Sequence, residues 1–162
     1  MKEKSDFQPP YDITVDEDLT YTFITVGGIK YIAYFICCSN YDSHLTQTFM
    51  FNFEHEGDNI KRITDLRVRA TIIHIIESFF QNNQNSMIYI CDSLDGRELC
   101  RKRLFDRWYD EYKERLNYIQ REDISENGES YSLCASLLIH ENNPTRLDII
   151  QSFLELKNLL LG

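Results

Sequence analysis

The sequence predicts an α+β fold in which helices cover a mixed sheet, and two patterns predict the first half of that sheet. Gly27 and Gly28 stand between two runs rich in β-branched and aromatic residues, 20–26 and 29–38, which is typical of a tight hairpin. Residues 46–54 then alternate with period two, with Phe49, Phe51 and Phe53 on one side. We therefore expect an antiparallel three-strand meander.

Helical and strand-like patterns alternate in the rest of the chain. A helix is expected from Thr64 or Asp65, either of which can cap it by accepting a hydrogen bond from a first-turn amide, to residue 81. Its apolar residues recur at spacings of three and four: Val68, Ile72, Ile75, Ile76 and Phe79. A strand over 86–91 follows. Because a strand–helix–strand crossover joins parallel strands, strands 46–54 and 86–91 should run parallel.

A second helix is expected over 96–121, then an acidic linker over 122–129 and a fifth strand over 130–139. The helix is predicted from an apolar stripe: Cys100, Leu104, Trp108, Tyr112 and Leu116. A last helix begins at Pro144, which suits the first helical position, with Asn143 as its cap. The expected order is thus an antiparallel three-strand meander followed by α-β-α-β-α. It forms a single domain over 19–162, preceded by a flexible acidic arm over 1–18.

Composition and charge limit the functions to consider. The chain has 162 residues, of which 43% are hydrophobic and 13% aromatic, as expected for one folded domain. Its formal net charge of -9 argues against a nucleic-acid binder and against attraction to an anionic membrane, because both require a positive potential. We therefore expect neither partner.

The sequence also predicts a cytoplasmic protein. No apolar run reaches the length of a membrane span, and residues 1–10 lack the apolar core of a signal peptide. The five cysteines are an odd number without a C-x-x-C pair. They are expected to be reduced thiols buried among apolar residues, as is usual in the cytoplasm.

The order of the predicted elements, over about residues 20–139, resembles the core of the GNAT acyltransferases. In that family the turn before the first core helix has the pattern Gln/Arg-x-x-Gly-x-Gly/Ala, and its amides hold the coenzyme A pyrophosphate. Here Arg62 fits the first position, while Asp65 and Arg67 stand at the two glycine positions. Asp65 places a carboxylate where the pyrophosphate would lie, and the tyrosine general acid of the family has no clear match. The resemblance implies the fold and, as an alternative function, an acyltransferase with an atypical coenzyme A site.

A second resemblance involves a string of residues in the middle of the chain. It runs Cys91-Asp92-Ser93-x-Asp95-Gly96-Arg97 and continues as Arg101-x-Arg103-Leu104-Phe105-x-Arg107-Trp108-Tyr109. The string is similar to an uncharacterised family of small bacterial proteins of unknown function. This likeness implies a bacterial protein and brings no activity with it.

The same string contains the candidate site. Asp92 and Asp95 follow a predicted strand and precede a helix, where open α/β sheets bind ligands, and Gly96 permits the turn. Four arginines on the predicted helix would recognise a carboxylated or phosphorylated group, because the guanidinium fork pairs with such groups in bidentate fashion. They are Arg97, Arg101, Arg103 and Arg107.

A structural explanation of the same residues is local. Asp92 or Asp95 caps the helix, and the arginines pair with the acids of their own helix. Those acids are Asp106, Asp110 and Glu111. On this explanation the aromatic residues Phe105, Trp108 and Tyr109 are core anchors, not a platform on which bases stack.

No complete catalytic or metal-binding set is apparent in the sequence. His74 and Glu77 lie one helical turn apart, but the second histidine of a zinc motif is missing, and His140 after a strand is a candidate base. The leading hypothesis is a non-catalytic binding or regulatory protein of the bacterial cytoplasm. It would hold a protein or a small anionic ligand without a metal or cofactor; coenzyme A enters only under the acyltransferase alternative. The oligomeric state is left open.

Overall fold

The computed structural model describes residues 10–56, 66–92, 105–111, 113–127 and 132–161. These residues form seven strands and three helices, so the α+β class is confirmed. In chain order the elements are β1 (Thr14–Val15), β2 (Thr20–Ile24), β3 (Lys30–Cys37), β4 (Thr48–His55), α1 (Leu66–Phe79), β5 (Ser86–Asp92), α2 (residues 105–111), β6 (Ile119–Asn127), β7 (Ser132–His140) and α3 (Arg146–Leu161).

The strands form one mixed sheet in the order β1-β2-β3-β4-β5-β7-β6. Strands β1, β2 and β3 pair antiparallel in sequence, and β7 pairs antiparallel with both β5 and β6. The pair β4–β5 is parallel, with Thr48 opposite Ser86, and α1 lies between these strands in the chain. The predicted parallel crossover is therefore confirmed.

The hairpin predicted at Gly27 and Gly28 is also confirmed. The Thr25 amide donates to the Ile29 carbonyl at 2.9 Å, and the Gly28 amide donates to the Thr25 carbonyl at 2.9 Å. Gly28 has a φ of 83°, in the left-handed region that glycine reaches at little cost. The Thr25 hydroxyl oxygen accepts from the Ile29 amide at 3.1 Å and closes the turn.

Strand β1 is not part of the sequence prediction and lies within the segment 1–18 that was expected to form a flexible arm. Its two residues pair with β2. Before it, the Tyr11 ring is buried, and the Tyr11 amide donates to the Thr71 hydroxyl of α1 at 2.8 Å. A buried aromatic ring therefore holds the described part of this segment against α1.

The predicted helix over 96–121 is wrong over residues 113–121, and the predicted linker over 122–129 is wrong over residues 122–127. Helix α2 occupies residues 105–111, residues 113–118 form turns, and β6 occupies Ile119–Asn127. Among the strands that the structure describes, β6 pairs only with β7 and stands last in the sheet order, and charged side chains are typical of such edge strands. Its composition therefore resembled that of a linker. After the meander the observed order is α-β-α-β-β-α, which adds a strand to the prediction.

The chain divides into two compact units. Unit 1 comprises the chain up to Phe35 together with Asn52–Phe79, and unit 2 comprises Ile36–Phe51 together with Phe80–Gly162. The single domain expected over 19–162 stays a prediction.

In unit 1 the core lies between α1 and one face of its strands. The Phe35 ring stacks on the Phe79 ring of α1 at a centroid distance of 4.3 Å. Next to it the rings of Tyr11, Phe23 and Tyr31 stack in a row, at centroid distances of 6.0 and 5.2 Å. The apolar face predicted for α1 is buried, as expected for an amphipathic helix.

In unit 2 the helix α3 covers one face of β5, β7 and β6. The residues of this core are Cys38, Leu45, Ile88, Ile124, Ala135, Leu137, Ile139, Ile149, Phe153 and Leu156. Each large apolar side chain buried here contributes about 1.5–3 kcal/mol relative to an exposed one. Helix α3 begins at Arg146, two residues after the predicted start at Pro144, whereas the capping role of Asn143 is confirmed: its side-chain oxygen accepts from the Thr145 amide at 3.0 Å.

Candidate functional site

The structure describes only two residues of the predicted site. Asp92 is the last residue of β5, where its backbone lies opposite Leu133 of β7, and Arg107 lies on α2. The remaining members of the predicted site lie outside the described residues: Asp95, Gly96, Arg97, Arg101 and Arg103. The site can therefore be built from α2 and the strands beneath it.

Aromatic packing holds α2 on the sheet of unit 2. The Phe105 ring stacks on the Tyr89 ring of β5 at a centroid distance of 4.4 Å and an angle of 15°. Phe105 and Trp108 are both 4% exposed. The prediction of core anchors is confirmed for these two residues, whereas Tyr109, the third, is only half-buried. A helix packed in this way is fixed on its support.

A guanidinium group adds a polar clamp to the same contact. Arg121 of β6 donates to the Asp106 carboxylate of α2, and its Nε donates to the Asp123 carboxylate at 2.9 Å. Ser136 of β7 completes the set, since its hydroxyl donates to Asp123 at 2.6 Å and accepts from Arg121 at 3.3 Å. One arginine thus connects α2 with two strands.

The two carboxylates decide the electrostatics of this clamp. Burial lowers the pKa of Arg121, but the hydrogen bonds to Asp106 and Asp123 outweigh it and hold that pKa above its ordinary value. The guanidinium carbon also lies 5.1 Å from the centre of the Tyr109 ring, a cation–π distance. Arg121 is therefore permanently charged and engaged within the fold.

Sequence reasoning did not single out Arg121 or Asp123. It expected Asp106 to pair with arginines nearby on the predicted helix; the structure shows a bond to Asp106 from Arg121, fifteen residues further along the chain. The spacing of Arg121 and Asp123, two residues apart, places both on one face of a strand. That signal becomes usable only once β6 is recognised as a strand.

Arg107 differs from Arg121 in its environment. It is exposed on α2, and it makes no ion pair with any residue within the described ranges. Asp110 and Glu111 on the same helix are exposed as well. The exposed side of α2 thus presents charged groups on a helix that is firmly attached to the sheet.

His140, the candidate base, takes part in local structure. Its Nδ1 accepts a hydrogen bond from the Asn142 amide at 3.0 Å, and its ring packs against the Tyr118 ring at 5.1 Å. His74 is exposed on α1. Over the described part of the chain, no group of three or more histidine, cysteine, aspartate or glutamate side chains could hold a metal ion.

Asp42, His44 and Ser152 of unit 2 lie close together, but their geometry is not that of a catalytic triad. His44 Nδ1 is 3.1 Å from Asp42 Oδ1 and 3.5 Å from the Ser152 hydroxyl. In a triad the two partners bind different ring nitrogens, whereas here both lie at Nδ1. Asp42 also accepts the His44 amide at 2.8 Å, so the cluster shapes a turn.

No helix within the described ranges is long and apolar enough to cross a membrane. This finding concerns α1, α2 and α3.

Comparison with known proteins gives one match. Residues 64–155 fit the model of a family of unknown function (DUF6169), a range that includes α1, β5, α2, β6, β7 and most of α3. No curated protein and no solved structure matches the chain. The resemblance to GNAT acyltransferases therefore stays a prediction, whereas membership of a family of unknown function is confirmed. The chain belongs to this family, DUF6169.

Proposed function

We propose that this chain is a non-catalytic binding protein that holds a carboxylate-bearing partner protein on the exposed side of α2. The supporting observation is the contrast between two arginines. Arg121 is engaged with Asp106 and Asp123 inside the fold, whereas Arg107 is exposed on the helix that Arg121 fixes. One arginine stabilises the surface, and the other is available for recognition.

A fixed helix suits this role for an energetic reason. Association costs free energy for every side chain and segment that it orders, and a helix already clamped to its sheet avoids part of that cost. The stack of Phe105 on Tyr89 and the hydrogen bond from Arg121 to Asp106 supply this preorganisation. A guanidinium presented on such a helix can pair with a carboxylate through two parallel hydrogen bonds.

The chemistry of the described residues also favours binding over catalysis. His140 Nδ1 accepts a backbone amide, and His44 meets Asp42 and Ser152 through the same ring nitrogen. Neither histidine therefore has the arrangement of partners that nucleophilic catalysis requires.

Charge reversal tests this proposal in the native host. The tagged chain is purified together with its partners, and the mass of the complex is compared between the wild type, Arg107→Glu and Lys113→Glu. Lys113 is exposed and lies two residues after α2 in the chain. Both variants replace a cationic side chain with glutamate, so both carry the same change of charge. We expect Arg107→Glu to release the partner and Lys113→Glu to retain it. Equal behaviour of the two variants contradicts the proposal.

An acyltransferase is the second candidate. The parallel crossover β4–α1–β5 agrees with the element order on which that resemblance rests. Against it, Arg67 stands at a glycine position of the coenzyme A turn, and its guanidinium carbon lies 3.9 Å from the centre of the Tyr11 ring. Isothermal titration calorimetry with coenzyme A decides between the two functions. Saturable micromolar binding would establish the alternative and overturn the first proposal.

A further inference from the structure

The strands of unit 1 have one buried face and one open face. On the face covered by α1, Phe23, Ala33 and Phe35 are at most 5% exposed. Because side chains alternate along a strand, the residues between them point to the opposite face. None of the unit 1 residues of β2, β3 and β4 on that face is buried, and Ile24 is 60% exposed.

Strand pairing gives the arrangement of this open face. Ile24 lies opposite Lys30, Thr22 opposite Ile32, and Thr20 opposite Tyr34. Strand β4 is the other neighbour of β3 in the sheet. Directly after β4, the Glu56 amide donates to the Lys30 carbonyl of β3 at 3.0 Å, so Glu56 lies opposite Lys30. We call the group formed by Ile24, Lys30, Ile32, Tyr34, Glu54 and Glu56 the open face.

The open face combines apolar side chains with a surplus of negative charge. Ile24, Ile32 and Tyr34 supply its apolar part, and beside Ile24 the hairpin residue Val26 is 84% exposed. The pKa of Tyr34 is raised by burial and by the Glu54 carboxylate, as expected if the phenol and the carboxylate are neighbours. A second helix layer commonly covers such a face when a sheet is apolar on both sides.

The charges indicate the kind of partner. Lys30 Nζ lies 3.6 Å from Glu56 Oε1, and both side chains are well exposed, so this pair is weak and open to exchange. Glu54 is exposed and makes no ion pair with any residue of the described ranges. In the turn between β1 and β2, Glu17 and Asp18 add exposed carboxylates. The surplus is negative, as is the whole chain at -9.

We propose that the open face of unit 1 binds a cationic amphipathic helix of a partner protein. The apolar side of that helix would cover Ile24, Ile32 and Tyr34, and its lysines or arginines would lie against Glu54 and Glu56. A second copy of this chain fits less well, because two negative faces repel each other. This proposal does not rest on the function proposed for α2.

A synthetic amphipathic helix of leucine and lysine is the probe. It is titrated into the full chain, and the isoleucine methyl signals are followed by NMR. We expect saturable binding with shifts at Ile24 and Ile32. The change Ile24→Ser should weaken binding about tenfold, because it removes an apolar side chain from the proposed contact. Since Ile24 is exposed, the change should leave the fold intact. A matched peptide with glutamate in place of lysine should not bind.

The control variant is Leu147→Ser, since Leu147 is 72% exposed on α3. It should leave the affinity unchanged. Equal weakening by Leu147→Ser and Ile24→Ser, or shifts confined to other isoleucines, overturns the proposal. Sedimentation provides a further test: a dimer that Ile24→Ser abolishes would show that a second copy occupies the face, and would overturn the proposal as well.

Discussion

Arg121 and Asp106 form an ion pair that joins β6 to α2 across fifteen residues of sequence. The Arg121 side chain is only 15% exposed, and it pairs with Asp123 at 2.9 Å as well. A charge removed from water to this degree is stabilising only while its partners are in place. The ion pair between Arg121 and Asp106 therefore helps to fix α2, the helix that carries the proposed binding surface.

The change Arg121→Ala should lower the free energy of unfolding by about 1–2 kcal/mol, because it removes charge-assisted hydrogen bonds to two carboxylates that water still reaches, Asp106 at 30% and Asp123 at 60% exposed. Urea unfolding followed by circular dichroism measures the loss. Arg107→Ala is the matched control and should change stability by less than about 0.5 kcal/mol, because Arg107 is exposed. If both variants are equally stable, Arg121 is not a clamp.

The hairpin glycines provide a test of backbone strain. Gly28→Ala should destabilise the fold by about 1 kcal/mol, since its φ of 83° is unfavourable for a residue with a Cβ although the space around it is open. Gly27→Ala should be close to neutral, because its Cβ would meet the Thr25 hydroxyl at an ordinary 3.7 Å. Thermal unfolding compares the two. A larger loss at Gly27 would refute this assignment.

Thr48 and Ser86 form a buried hydroxyl pair between the parallel strands, 2.7 Å apart, with both residues fully buried. Thr48→Val should cost about 1–3 kcal/mol, because it removes this partner from the Ser86 hydroxyl. The double variant Thr48→Val/Ser86→Ala should cost less than the sum of the two single changes, by about 1 kcal/mol. Strict additivity in chemical denaturation would mean that the hydroxyls do not interact.

Asp42 should make stability depend on pH. The His44 amide is the main cause that lowers the pKa of Asp42 below its ordinary 3.8, with smaller effects from Ser152 and the His44 ring. A carboxyl whose pKa is depressed on folding stabilises the fold above its unfolded pKa and loses that contribution as pH falls through the folded pKa. The gap in unfolding free energy between the wild type and Asp42→Asn should therefore close in acid. A gap that stays constant down to about pH 2 contradicts this.

The parts of the fold set by local chemistry were predictable from the sequence. Gly27 and Gly28 predicted the hairpin, and Asn143 before Pro144 predicted the cap of α3. The parallel crossover followed from the connection rule for strand, helix and strand. Each of these features depends on neighbours in the chain or on a general topological constraint.

The boundary between α2 and β6 was not predictable in the same way. Leu116 is buried, as the predicted helical stripe required, yet it lies in a turn. The apolar pattern indicated that this residue is buried, but burial alone does not distinguish a helix from a turn. The charges of β6 are explained by its position at the edge of the sheet. The ion pair between Arg121 and Asp106 depends on the position of β6 in the sheet as well. Neither the spacing of the two residues nor the composition of the chain could therefore predict it.

The proposed binding role is tested most directly at position 107. A photoreactive amino acid is placed there in the native host, and at Glu155, which is exposed on α3, as a control. On irradiation we expect one discrete cross-linked protein from position 107 and none from position 155. The absence of any adduct at 107, or the same adducts at both positions, would contradict the claim that the exposed side of α2 holds a partner.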